Sequence, residues 1–146
     1  MPILDNENIT TMTAAARNAL RNAYAPYSGF RVGAAVLGGS GRIYIGCNVE
    51  NASYGLTICA ERVAIFKAIS EGETVISAVI IVTEEHQPSP PCGACLQVIS
   101  EFSPSDEPVT IATCTADGLQ QDIRTLKDYL PMPFRLRVNK EQERGR

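Results

Sequence analysis

The first long stretch of the chain, roughly 8–24, is alanine-rich at 14–16 and 19 with Leu20 behind, which predicts a helix whose start a Thr or Asn can cap. "APYSG" ends it with proline and glycine. "FRVGAAVLG" is a continuous apolar run, read as a buried strand, and "RIYIGCN" alternates well enough for a second. With "GGSGR" between them, the two read as an antiparallel hairpin. A polar loop, "VENASYGLT", leads to "TICAERVAIFKAISEG". There Ile58, Ala60, Val63, Ala64, Ile65, Phe66, Ala68 and Ile69 give a broad apolar face, with Thr57 as candidate N-cap and Gly72 as the stop. "VISAVIIVTE" is a β-branched run of the kind covered on both faces. After the loop "EHQPSPP", "CGACLQVISEF" reads as a short helix and "PVTIATC" as a strand. "ADG" is a turn and "TLKDYL" a short helix stopped by Pro131, with room for a further short strand.

The order α-β-β-α-β-α-β predicts a sheet covered by helices on both faces. No repeat, linker or composition break divides the chain, so residues 1–146 are expected to form one domain. The charged end "NKEQERGR" is expected to give a mobile tail over 139–146.

Composition narrows the possible functions. Net charge is −3 with no long basic run, which argues against a polynucleotide-gripping surface. No apolar run approaches membrane-spanning length, and the acidic start "MPILDNENIT" does not read as a signal peptide. Five cysteines, an odd number, fit a reducing compartment better than a disulfide framework; the expected location is the cytoplasm. The one histidine, His86, limits any zinc site to mostly sulfur.

The candidate chemistry lies at two predicted helix starts. Cys59 falls in the first turn of one helix, Cys92 and Cys95 in the first turn of another. Helix N-termini carry partial positive charge and free N–H groups, which favour thiolate, the metal-binding form. Three sulfurs at one end of a sheet could hold a tetrahedral zinc with one position open, the arrangement of a catalytic rather than a structural site. Glu61, two residues after Cys59, could then move protons to and from a water. Taken alone, Cys92 and Cys95 could also be a redox pair. A structural zinc could recruit His86 or Cys47 as fourth ligand. Glu61 could be only a charge favourable to the helix dipole.

"CAE" followed by "PCGAC" resembles the zinc-dependent nucleobase deaminases. "YSGFRVGAAV", "GCNVENASYG", "TICAERVAIFKA", "PCGACLQV" and "YLPMPF", in that order, resemble successive blocks of the small homotetrameric cytidine deaminases, over most of the chain from Tyr24 to Phe134. The resemblance implies a three-layer α/β/α sandwich with a mixed, mostly parallel sheet. It implies hydrolysis of cytidine and deoxycytidine to uridine and deoxyuridine with release of ammonia, by zinc-bound hydroxide attacking C4. By the same resemblance Zn²⁺ is held by Cys59, Cys92 and Cys95, Glu61 is the proton shuttle and Arg62 donates to the ligand sulfurs. Asn48 and Glu50 hydrogen-bond the ribose 3′-hydroxyl, and Phe30 and Ala60 line the substrate pocket. Phe134 stacks on the base bound by a neighbouring subunit, so sites are shared in a homotetramer. Leu96 stands where many relatives have arginine, Val63 where threonine is common and Tyr129 where leucine is common. The competing functions are deamination of another aminopyrimidine, such as the antibiotic blasticidin, polynucleotide editing, and a non-catalytic zinc-binding interaction module.

Overall fold

The computed structural model describes residues 4–136; the tail expected over 139–146 lies outside them. The elements in chain order are α1 (Asn6–Leu20), β1 (Val32–Gly38), β2 (Ile43–Cys47), a 3₁₀ turn (Tyr54–Leu56), α2 (Ala60–Ser70), β3 (Ile76–Thr83), α3 (Gly93–Glu101), β4 (Thr110–Thr115), β5 (Gln121–Thr125) and α4 (Leu126–Tyr129).

The strands form one sheet in the order β2-β1-β3-β4-β5. Burial follows that order. Every residue of β1 is buried, as is nearly all of β3 and β4, whereas the edge strands β2 and β5 are only partly covered. The continuous apolar runs in the sequence are therefore the interior strands, buried on both faces. On one face Met12, Ala16 and Leu20 of α1 pack on Ala35, Leu37, Ile80 and Val82. On the other, Ala60, Ala64, Ile65 and Ala68 of α2 and Leu96 and Ile99 of α3 pack on Val36, Val79, Ile81 and Ile111. The three layers are those expected.

The sheet is mixed, but the expectation of mostly parallel pairing is corrected. Only β3–β4 is parallel; β1–β2, β1–β3 and β4–β5 are antiparallel. Two of these ladders are hairpins, turned at Gly41 and Gly118, both with positive φ. The third follows from α2, which returns the chain past β1 so that β2 and β3 run the same way on either side of it. Of the four neighbouring pairs, only β3–β4 is joined by a helical crossover, as parallel neighbours require.

Local starts and stops differ from the sequence reading at α1 and α2, and the further short strand it left room for is β5. Asp5 caps α1, its carboxylate accepting the Asn8 N–H at 2.8 Å, and the helix stops at Leu20 rather than near Tyr24. Cys59, not Thr57, is the N-cap of α2. The strand β5 is mostly polar and so carries little apolar signal; the capping box of Thr125 and Asp128 starts α4 directly after it.

Two close approaches set the helix heights. A Cβ added at Gly33 would lie 1.9 Å from the Ala16 carbonyl oxygen of α1. One added at Gly46 would lie 2.6 Å from the Ala64 nitrogen and 2.7 Å from the Ala60 oxygen of α2. Glycine at these positions lets helix backbone rest directly on sheet backbone.

Candidate active site

The position of the site follows from the topology. β2 and β3 run parallel, and each is followed, through a loop, by a helix on the same face. The starts of α2 and α3 thus lie beyond the C-terminal ends of two parallel strands, where open α/β sheets place their ligands. Cys59 is the N-cap of α2 and Cys92 the N-cap of α3; neither side chain makes the usual capping hydrogen bond. Cys95 lies in the first turn of α3 and is fully buried.

The three sulfurs converge within 4.8 Å of one another, with Cys59 and Cys92 Sγ 3.7 Å apart. A tetrahedral zinc with bonds of about 2.3 Å separates its sulfurs by roughly 3.8 Å. Spacing and donor chemistry both fit that ion. All five cysteines are free. Neither Cys47 nor His86 joins the cluster, so among the described residues it has three ligands and no fourth. His86 is on an exposed loop.

The electrostatics suit a thiolate at Cys59. The Cys59 thiol is drawn down to about 5, first by a hydrogen bond from Cys95 and then, against the cost of burial, by the Arg62 guanidinium. Arg62 Nη2 donates to Cys59 Sγ at 3.4 Å. Cys95 is pushed up, as the partner that keeps its proton while Cys59 is charged. Glu61 is 5% exposed, and its Oε2 lies 3.6 Å from Cys95 Sγ. Burial raises its carboxyl to about 6.

Cys59, Cys92 and Glu61 open onto a cavity of about 220 Å³ that is also lined by Phe30, Asn48, Glu50 and Ala60. Seven of the residues singled out in the sequence therefore meet at one pocket. The polar ones are held from below. Asn48 Oδ1 accepts the Val32 N–H at 2.9 Å, and Nδ2 donates to the Phe30 carbonyl at 2.7 Å. Half of its hydrogen-bonding capacity thus fixes the backbone around Phe30. Glu50 accepts from the turn at Tyr27 and Ser28, and these hydrogen bonds, the Ser28 hydroxyl first, hold its carboxyl below the ordinary range.

Phe134 is elsewhere. The residue is 71% exposed and does not line the pocket; its carbonyl accepts from Gln97 Nε2 of α3 at 2.9 Å. It is not a core residue of its own chain. Leu96 is buried between α3 and the sheet, so no cation occupies that position. Sequence reasoning missed Ser28, Thr57 and Ser89 on the pocket wall. They sit in turns and loops, where periodicity carries no signal. The only available hint was the position of Ser28 in "PYSG", a turn next to Phe30.

A family model described as the cytidine and deoxycytidylate deaminase zinc-binding region matches residues 6–111. A cytidine deaminase of Halalkalibacterium halodurans is 48% identical over 118 residues, covering 80% of this chain and 86% of that protein. One from Sporosarcina psychrophila is 44% identical over 110 residues, covering 75% and 81%. Among solved structures, cytidine deaminase from Burkholderia pseudomallei superposes with a TM-score of 0.79 at 41% identity, covering 86% of this chain and 98% of that one. Cytidine deaminase from Mycobacterium tuberculosis gives 0.72 at 37% identity, covering 88% and 98%.

Proposed function

This chain belongs to the zinc-binding cytidine and deoxycytidylate deaminase family, and we propose that it hydrolyses cytidine and deoxycytidine to uridine and deoxyuridine, releasing ammonia. One observation carries the reading: three cysteine sulfurs converge, and two of them, Cys59 and Cys92, line one pocket together with a buried glutamate. Cys59, Cys92 and Cys95 would hold Zn²⁺, which would supply Lewis acidity that lowers the pKa of a water toward neutrality.

The protein's own groups do the rest. Glu61 takes a proton from the attacking water and delivers it to N3 of the ring; it then takes the proton of the new C4 hydroxyl and passes it to the amine, which leaves as ammonia as the C4–N bond breaks and the C4 carbonyl forms. Its burial supports this, because a carboxyl raised toward neutrality can both accept and donate. Three thiolates and Zn²⁺ leave a net charge of −1, and the Arg62 guanidinium against Cys59 offsets it. Ala60, the first residue of α2, lines the pocket, and an N–H at that position has no partner within the helix. In this reading it donates to the ring carbonyl.

Phe30 packs on the base, and Glu50 and Asn48 meet the sugar at its 3′-hydroxyl. Reading the 3′ position and not the 2′ accepts both sugars, while a 3′-phosphate would meet Glu50 with like charge. The base is covered by Phe134 of a neighbouring copy in a homotetramer; an exposed aromatic ring outside its own pocket supports this. The free thiols suit a reducing cytoplasm, and no helix among the described residues is long and apolar enough to cross a membrane.

The test is ultraviolet-monitored turnover of cytidine, deoxycytidine and cytosine by the zinc-loaded protein. Both nucleosides should react and the free base should lag far behind. No turnover of either nucleoside by protein carrying one zinc per chain would reject the reading.

A further inference from the structure

Ser28 lies on the pocket wall in the turn between α1 and β1. Its hydroxyl donates to Glu50 Oε2 at 2.5 Å and accepts the Phe30 N–H at 3.0 Å. The other Glu50 oxygen, Oε1, accepts the N–H groups of Tyr27 and Ser28 at 2.9 and 3.1 Å. A carboxylate offers about four lone-pair sites, two on each oxygen. Both sites on Oε1 are therefore used, and one on Oε2. The site left for a ligand is on Oε2, the oxygen that Ser28 holds.

We propose that Ser28 is a positioning residue that aims the free lone pair of Glu50 Oε2 at the substrate's 3′-hydroxyl. It also ties that oxygen to the backbone carrying the Phe30 ring. The inference rests on reading Glu50 as the sugar contact. The ring-side and sugar-side contacts are then joined through one hydroxyl: Phe30 N–H to Ser28 Oγ, and Ser28 O–H to Glu50 Oε2. Without it, Oε1 stays anchored by two N–H groups while Oε2 loses the one donor it has among the described residues. A charge-assisted bond is the strong kind, and its loss frees the aim of the oxygen rather than its presence. A serine that only shaped the turn, by accepting the N–H two residues on, would affect every substrate alike.

The experiment compares kcat/KM for cytidine and 3′-deoxycytidine in the zinc-loaded wild type, Glu50→Gln, Ser28→Ala and Ser28→Thr. Zinc content and melting temperature are measured alongside. In Ser28→Ala the preference for cytidine should narrow by about tenfold, mainly through KM, while the rate on 3′-deoxycytidine stays within threefold of wild type. Ser28→Thr, which keeps the hydroxyl, should restore the preference, and adding Ser28→Ala to Glu50→Gln should narrow it no further. Should Ser28→Ala melt below the assay temperature, Ser28→Cys, similar in size and a weak donor, carries the same comparison. Equal losses on both substrates would overturn the proposal. So would an intact preference in Ser28→Ala when Glu50→Gln abolishes it, and in that case the reading of Glu50 would stand. An intact preference in Glu50→Gln itself would remove the sugar reading of Glu50 and the proposal with it.

Discussion

Gly46→Ala tests whether the height of α2 on the sheet sets the geometry of the site. The new methyl carbon would stand 2.6 Å from the Ala64 nitrogen and 2.7 Å from the Ala60 oxygen, with Val63 Cβ at 3.0 Å. Two of these neighbours are helix backbone and cannot rotate away. To regain ordinary contact, at about 3.4 Å or more, α2 must retreat by roughly 0.8 Å or β2 must buckle. Overpacking of this kind typically costs about 1–3 kcal/mol. For a chain of this size that lowers the melting temperature by roughly 3–10 °C. The functional loss should be larger than the stability loss implies, because Cys59, Glu61 and Arg62 all ride on the first turn of α2. A displacement near 1 Å in a catalytic group can cost about 100-fold in rate. At 20 °C, with the variant fully folded by circular dichroism and its zinc measured, kcat for cytidine should fall about 10- to 100-fold. A variant with wild-type melting, zinc and kcat would show that the helix and sheet absorb the methyl elsewhere. The contact at Gly46 would then not position the site.

Cys59→Ala, Cys92→Ala and Cys95→Ala should each lower zinc content by elemental analysis, while Cys47→Ala and Cys114→Ala retain one ion per chain; full metal in Cys59→Ala would remove it from the ligand set. Glu61→Gln should keep zinc and fold but lose at least about 10²- to 10⁴-fold in turnover, the usual worth of general acid–base work. Near-normal turnover in the zinc-loaded variant would assign the proton transfers to another group. Phe134→Ala should raise KM for cytidine about 10- to 100-fold, from a stacking contribution of about 1–3 kcal/mol, with zinc unchanged. Mixing it with Glu61→Gln under subunit exchange should raise low-substrate activity per native Glu61 above that of Phe134→Ala alone. No rise despite proven exchange, or a monomer in sedimentation, would count against a ring donated by a neighbour.

Much of the site was legible in the sequence because its residues sit at helix starts. Cys59 with Glu61, and Cys92 with Cys95, each fall within one turn, so local spacing alone brings them near each other. The convergence of the two turns needed one further step, the parallel run of β2 and β3. Strand direction was the weakest part of the reading. The apolar runs of β1 and β3 look alike whichever way a neighbour runs, and direction depends on where α2 carries the chain. The capping residue of α1 was obscured by a run of equally good cappers: Asp5, Asn6 and Asn8 lie within four positions. What Asn48 and Glu50 hold on to could not be read at all. Their partners are backbone groups between Tyr27 and Val32 and the Ser28 hydroxyl, some twenty residues away, and hydrogen bonds of that range leave no periodic trace.

The two unusual caps also limit how this protein can be stabilised. Helix starts are among the first places to seek extra stability, since a Ser, Thr, Asp or Asn cap is worth about 1 kcal/mol over a residue that does not cap. In α2 and α3 the cap positions belong to Cys59 and Cys92, which make no such bond. An engineer raising the melting temperature by consensus capping would improve two helices and remove two of the three sulfurs. The gain is already taken at α1 and α4, through Asp5 and Thr125, and closed at the two helices that build the pocket. Thermostable variants of this fold must find their increments away from those two helix starts, where stability and activity compete for the same side chain.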